Sequence, residues 1–298
     1  MKIGIIGLGR MGNAIAYRLI KYGYEVWGFD SDGKNSKLAS ADGVKTVTTL
    51  QDITHYINIF WLMVPAGEIV DSVINALIPN LKQGDIIIDG GNSNFKDTVR
   101  RYQNLISQKI NYIDCGTSGG LHGRDIGFSL MIGGDKKVFE SLEPIFKSIA
   151  APQGYAYMGP SGAGHYVKMI HNGIEYALLQ SYAEGFHLLK DGAYKDLDLE
   201  KISDVWNHGS IIRSWILELA QNVFAQDQNL TEISGKIGEN KTGRWTLDEA
   251  KEQNIPVDLI ERSLEIRAHS RQDGGNYATK VVAMLRNQFG GHAIEKKS

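Results

Sequence analysis

The sequence holds one cysteine, Cys115, in 298 residues. No intrachain disulfide can form, and a reducing, cytoplasmic setting is the simple expectation. No stretch of about 18 consecutive apolar residues occurs, so no membrane span is expected. Charge of one sign is also missing. The formal net charge is -2, which argues against non-specific nucleic-acid binding. Metal-ligand spacings are absent: there is no His-x-x-x-His or Cys-x-x-Cys, and His165 and His171 do not share a helix face. The start, Met1–Leu8, runs into a glycine loop with no cleavage pattern and does not read as a signal peptide. Internal repeats and low-complexity segments are lacking too.

What is present is enough chain for two domains of about 100–200 residues each. The first half alternates strand and helix patterns. Short β-rich runs fall at Lys2–Leu8, Glu25–Asp30, Asn58–Val64, Asp85–Asp89 and Asn111–Cys115, with helical periodicity at Met11–Lys21, Gly67–Leu77 and Asn94–Gln108. This predicts a doubly wound parallel sheet of Rossmann type. Ser129–Ile132 and Tyr155–Met158 read as further strands around a helix at Lys136–Ile149. Only helical patterns follow: 162–190, 199–208, 213–224, 246–253, 257–271 and 276–289. The expectation is an α/β dinucleotide-binding domain over 1–160 and an all-helical domain over 161–298, entered by a long helix with Ser161 as its N-cap.

Gly7-Leu8-Gly9-Arg10-Met11-Gly12 follows the first strand and opens the first helix. The first glycine permits a tight turn, the second lets a pyrophosphate approach the backbone, and the third lets helix and strand pack closely. Asp30 ends the second strand where an acid would hydrogen-bond the adenine ribose. A carboxylate there repels a 2′-phosphate, and Ser31 and Asp32 bring no arginine to offset it, so NAD is expected over NADP, with Lys34 a nearby cation. Two more loops follow apolar strands, Asp89–Ser93 and Asp114–Gly120. Asn92 and Ser118 can hydrogen-bond a ligand, and Gly119 and Gly120 allow close approach. Cys115 has no base expected beside it and reads as a packing residue.

The long helix carries Lys168, His171, Asn172, Glu175 and Tyr176 at i, i+3, i+4, i+7 and i+8, hence on one face. Val167, Ile170, Ile174 and Leu178 fall on or beside the opposite face. A charged stripe is ordinarily a solvated surface. Here its surroundings are glycine-rich or apolar, so the stripe reads as the wall of a site whose substrate supplies the missing partners.

Together these residues resemble the decarboxylating 6-phosphogluconate dehydrogenases, and more closely their short form. The resemblance covers nearly the whole chain. It rests on Gly7–Gly12, IIIDGGNSNFKDTVRR (Ile86–Arg101), Ser118–Gly120, HYVKMIHNGIEY (His165–Tyr176) and RNQFGGH (Arg286–His292). It implies oxidation of 6-phospho-D-gluconate at C3 and loss of CO2 to give ribulose 5-phosphate, with NAD as cofactor and no metal. Lys168 is implied as general base and then acid, and Glu175 as the acid that protonates C1 of the enediol. His171, Asn172, Tyr176, Asn92, Ser118, Gly119 and Gly120 are implied as substrate ligands. Val64, Ala66 and Asn92 are implied beside the cofactor. For the phosphate the resemblance points to Thr242, Arg267, Arg286 and His292. The last two are implied as contributions to a neighbouring subunit's site, which makes a homodimer or larger assembly the expectation. The departure is Asn240, where many members carry lysine; Lys241 is adjacent. Two other readings compete: another β-hydroxyacid dehydrogenase of the 3-hydroxyisobutyrate or glyoxylate-reductase type, and a non-catalytic dinucleotide-binding regulator.

Overall fold

The computed structural model describes residues 1–297. By contacts the chain divides into a unit ending at Met169 and a second beginning at Ile170. Each is described by itself.

The first unit is built on an eight-stranded sheet. Its elements are β1 (Lys2–Ile6), α1 (Arg10–Lys21), β2 (Glu25–Phe29), α2 (Gly33–Ala41), β3 (Lys45–Thr46), β4 (Ile59–Leu62), α3 (Glu68–Leu77), β5 (Ile86–Asp89), α4 (Phe95–Ser107), β6 (Asn111–Ser118), α5 (Gly123–Ile126), β7 (Phe128–Gly134), α6 (Lys136–Ile149) and β8 (Ala150–Gly159). The strand order is β3-β2-β1-β4-β5-β6-β7-β8. Strands β1 to β6 are parallel, with registers such as Ile5↔Trp61 and Asp89↔Asp114.

Period-two alternation divides the strand residues between two cores. Ile3, Ile5, Trp61, Ile88, Ile113 and Cys115 pack on one face. Ile6, Phe60, Leu62, Ile87 and Tyr112 pack on the other. A sheet covered on both faces requires near-continuous apolar strands, as the runs KIGII, IFWL and IIID are.

One strand departs from the parallel expectation. β7 is antiparallel to β6, pairing Cys115 with Ile132 and Ser118 with Ser129, and β8 follows β7 in parallel. The β6–β7 connection is a short glycine-rich turn through α5, too short for a parallel crossover. Two elements, α2 and the two-residue β3, escape the periodicity reading because α2 buries only Ala39.

The second unit is helical. α7 (Ala163–Asp191) begins in the first unit and continues into the second, followed by α8 (Leu199–Asn207), α9 (Trp215–Gln226), α10 (Lys241–Glu252), α11 (Asp258–Asp273) and α12 (Tyr277–Gly290). Its main core gathers Leu179, Phe186, Leu217, Val223, Val281 and Leu285. A smaller one joins Tyr176 to Leu247 and Leu264. α10 starts five positions before the expected Thr246, at Lys241, because the Asn240 side chain caps it by accepting from the Thr242 amide. No helix among the described residues is long and apolar enough to cross a membrane.

Candidate active site

In the first unit, parallel order places the carboxyl ends of β1, β2, β4, β5 and β6 along one edge, the edge where ligands of open α/β sheets bind. Gly7–Gly12, Asp30, Val64, Ala66, Asn92 and Ser118–Gly120 all lie at or just past those ends.

In the glycine loop, Gly7 and Gly12 take the turn and packing places expected of them. Gly7 has φ +93°, and a Cβ there would lie 2.6 Å from the Met63 carbonyl oxygen. A Cβ on Gly12 would lie 1.9 Å from the Gly7 carbonyl oxygen, so α1 packs directly on the turn. Gly9 faces open space within 4 Å, the clearance an approaching pyrophosphate needs. The Leu8 side chain is buried, so only its backbone can face a cofactor. That amide donates to Asp30 Oδ2 at 2.6 Å, while the Asp32 amide donates to Oδ1 at 2.7 Å. Asp30 therefore also ties the glycine loop to the end of β2.

The β5 loop is held by a buried network that the sequence reading did not find. Asp89 accepts from Ser93 Oγ at 2.7 Å, Tyr112 Oη at 2.9 Å and the Gly91 amide at 3.2 Å. Arg101 donates to both Asp71 oxygens, at 2.9 and 3.0 Å, and to the Gly67 carbonyl oxygen at 2.9 Å. It thereby joins the loop after β5 to the segment after β4. The hydrogen bond from Arg101 holds the Asp71 carboxyl down to about 2. Ser93 is buried while Asn92 is exposed, so the network fixes the loop and leaves Asn92 outward. Cys115 is fully buried and its thiol is pushed up by burial, as befits a packing residue.

Lys168 is 6% exposed. It rests on β6: a Cβ on Gly116 would lie 2.4 Å from Lys168 Cβ. Two residues along that strand lies Ser118, at the mouth of the Gly119–Gly120 turn.

In the second unit the stripe continues. Asn172 and Tyr176 are buried, whereas Ile174 and Leu178 are 51% and 45% exposed. The helix thus turns polar groups inward and apolar groups outward, the reverse of an ordinary amphipathic surface helix. His171 Nδ1 lies 3.3 Å from Asn172 Oδ1. Tyr176 donates to Asn240 Oδ1 at 2.6 Å, and the Thr242 hydroxyl donates to the same oxygen. Asn240 therefore caps α10 and seats Tyr176 and Thr242, while Lys241 is exposed.

Arg267 stacks on the Tyr176 ring, its Cζ 3.4 Å from the centroid. It is 1% exposed, and among the described residues neither terminal nitrogen has a hydrogen-bond partner. Burial lowers it to about 10, with Tyr176 acting against that and Arg286 adding to it, so it stays cationic at neutral pH. Arg286 is also buried and lowered, chiefly by burial, with Tyr176 and Glu175 opposing. The two guanidiniums and Glu175 thus share one neighbourhood in one chain.

Val281, Val282, Met284 and Leu285 seat α12 in the core of its own unit and carry Arg286 with it. His292 folds back at the end of α12, edge-on to Phe289 at 6.1 Å, its carbonyl oxygen accepting from the Asn287 side chain. Among the described residues no group of three or more His, Cys, Asp or Glu is arranged to hold a metal ion.

Comparison with known proteins gives the family. The family model for the NAD binding domain of 6-phosphogluconate dehydrogenase matches residues 2–162, and that for the 6-phosphogluconate dehydrogenase C-terminal domain matches residues 164–297. The chain belongs to the 6-phosphogluconate dehydrogenase family. The NAD(+)-dependent, decarboxylating 6-phosphogluconate dehydrogenase of Haloferax volcanii is 43% identical over 302 residues, spanning 100% of this chain and 99% of that protein. An enzyme of the same description from Bacillus subtilis is 37% identical, over 89% of this chain but only 60% of its own length. Among solved structures, Plasmodium falciparum 6-phosphogluconate dehydrogenase matches with TM-score 0.83 and 30% identity over 92% of this chain and 62% of that one. A Mycobacterium tuberculosis 3-hydroxyisobutyrate dehydrogenase matches with TM-score 0.76 and 21% identity over 96% and 99%. That likeness shows the shared fold alone.

Proposed function

We propose that this chain oxidatively decarboxylates 6-phospho-D-gluconate to ribulose 5-phosphate and CO2, with NAD as its cofactor. The observation that carries the reading is the buried pair Arg267 and Arg286, with unpartnered nitrogens on Arg267. Two desolvated guanidiniums in one neighbourhood are costly without an anion, and a phosphate dianion offers bidentate acceptors to both. A small hydroxy acid without a phosphate would leave them uncompensated, which disfavours the 3-hydroxyisobutyrate reading.

Gly7, Gly9 and Gly12 would hold the pyrophosphate of the cofactor, and Asp30 the adenine ribose. The open space at Gly9 and the carboxylate at the end of β2 fit NAD. NAD, when bound, supplies the acceptor for the hydride leaving C3. Lys168 takes the proton of the C3 hydroxyl, for which it must be neutral. Now an ammonium, it polarises the C3 ketone oxygen. The bond to the carboxylate then breaks, CO2 leaves, and its electron pair passes into an enediol whose oxygen receives the Lys168 proton. Glu175 delivers a proton to C1 of that enediol while Lys168, neutral again, takes back the proton of the enol oxygen, which gives the ketose. His171, Asn172, Asn92 and the Ser118–Gly120 turn orient the sugar and its carboxylate. Tyr176, Thr242, Arg267 and Arg286 take the phosphate.

Lys168→Met tests the assignment. Turnover should fall at least 1000-fold while NAD affinity, measured by calorimetry, stays within twofold. Turnover near the wild-type rate would remove Lys168 from the role of base.

A further inference from the structure

The start of α7 is capped by a residue from another element. Ser161, the expected N-cap, has a buried hydroxyl with no hydrogen-bond partner among the described residues. Instead Asp114, in the middle of β6 and fully buried, accepts from the Gly162 amide at 2.8 Å through Oδ1 and from the His165 amide at 3.0 Å through Oδ2. These amides belong to the residue before the helix and to its third residue, both short of intrahelical acceptors. One carboxylate from the sheet thus serves where a local side chain normally would.

Steric fit around that carboxylate is close. A Cβ on Gly133, the β7 partner of Asp114, would lie 2.7 Å from each Asp114 oxygen and 2.7 Å from the Gly164 amide nitrogen. A Cβ on Gly164 would lie 2.3 Å from the Met131 carbonyl oxygen. The first turn of α7 therefore sits backbone against backbone on β6 and β7. His165 adds a second pin, its Nδ1 2.7 Å from Thr98 Oγ1 of α4. One turn on from Gly164 comes Lys168, with its Cβ and Cγ against Gly116.

We propose that Asp114 is the positioning residue of Lys168: it fixes the axial position and rotation of α7 on β6, and so where the Lys168 amine stands. The inference rests on Lys168 as the base. Reactive geometry is sensitive, a misplacement of about 1 Å costing roughly 100-fold in rate. The same strand carries the carboxylate that caps the helix and, two residues on, the glycine that receives the lysine. A shift at either residue therefore reaches the same side chain.

The test compares Asp114→Ala, Asp114→Asn and Gly116→Ala in the full-length protein, assayed with 6-phosphogluconate and NAD at least 20 degrees below each variant's Tm. Each should lower kcat about 10- to 100-fold with the KM for NAD within twofold. Asp114→Asn, which keeps one acceptor oxygen, should recover part of the Asp114→Ala loss. The Asp114→Ala, Gly116→Ala double variant should lose less than the product of the single losses, since both displace one group. Should Asp114→Ala not fold, Asp114→Asn and Gly116→Ala give the same reading. Lower Tm with kcat within twofold of wild type in the folded variants would make Asp114 a purely structural cap and overturn the proposal. Lys168→Met runs alongside. If it stays active, the assignment of the base fails, independently of what Asp114 does.

Discussion

At the scale of single residues, the account turns on charges kept out of water. Arg267 is lowered by burial and is seated on Tyr176 without a hydrogen-bonded counter-anion among the described residues. Arg267→Met should therefore leave Tm unchanged or raise it, because a buried uncompensated charge is removed. The same change should raise the KM for 6-phosphogluconate roughly 30- to 150-fold, the worth of charged hydrogen bonds of about 2–3 kcal/mol. Adding inorganic phosphate should raise the Tm of the wild type and not of the variant. An equal phosphate shift in both would place the anion elsewhere. Asp71 illustrates the opposite sign. Its folded value is about 2, below the ordinary 3.8, because Arg101 holds the ionised form. The stability it lends is present above about pH 4 and is lost as the pH falls towards 2. Urea midpoints of Asp71→Asn should fall less steeply than wild type across that window; parallel curves would show that the pair lends nothing.

At the scale of elements, the glycine loop, the apolar strands β1, β4 and β5 and the polar stripe of α7 were all legible in the sequence. Each depends on spacing within one short segment. What could not be read depends on partners distant in sequence. The reversal of β7 is set by a tight glycine turn rather than by the strand's own pattern, which is equally apolar either way. Asp114 stood where the run Asn111–Cys115 meets the loop Asp114–Gly120, and nothing in the sequence showed that from within β6 it caps a helix 48 residues further on. Arg101, on α4, drew no separate reading from the sequence, and it is 2% exposed through contact with Asp71 and Asp89. Asn240 appeared as a missing lysine and proves to be the cap of α10. Asn240→Ala should cost about 1 kcal/mol of stability by urea unfolding. It should also raise the KM for 6-phosphogluconate, since Tyr176 and Thr242 lose their shared acceptor. An unchanged KM would detach the cap from the phosphate residues.

At the scale of the whole molecule, the chain spans 99% of a relative of its own length and 60% of a longer one. In this chain α12 is part of the core of its own unit, which carries both Arg267 and Arg286. The fold is shared with a 3-hydroxyisobutyrate dehydrogenase, so architecture alone does not choose the substrate; on the proposed function, the arginine pair does. The most direct measurement follows reduced cofactor and released CO2 together when the purified protein meets 6-phosphogluconate with NAD or NADP, and 3-hydroxyisobutyrate with NAD. The account predicts one reduced NAD per CO2 from 6-phosphogluconate, a higher kcat/KM with NAD than with NADP, and no turnover of 3-hydroxyisobutyrate. Turnover of 3-hydroxyisobutyrate with none of 6-phosphogluconate under either cofactor would contradict it.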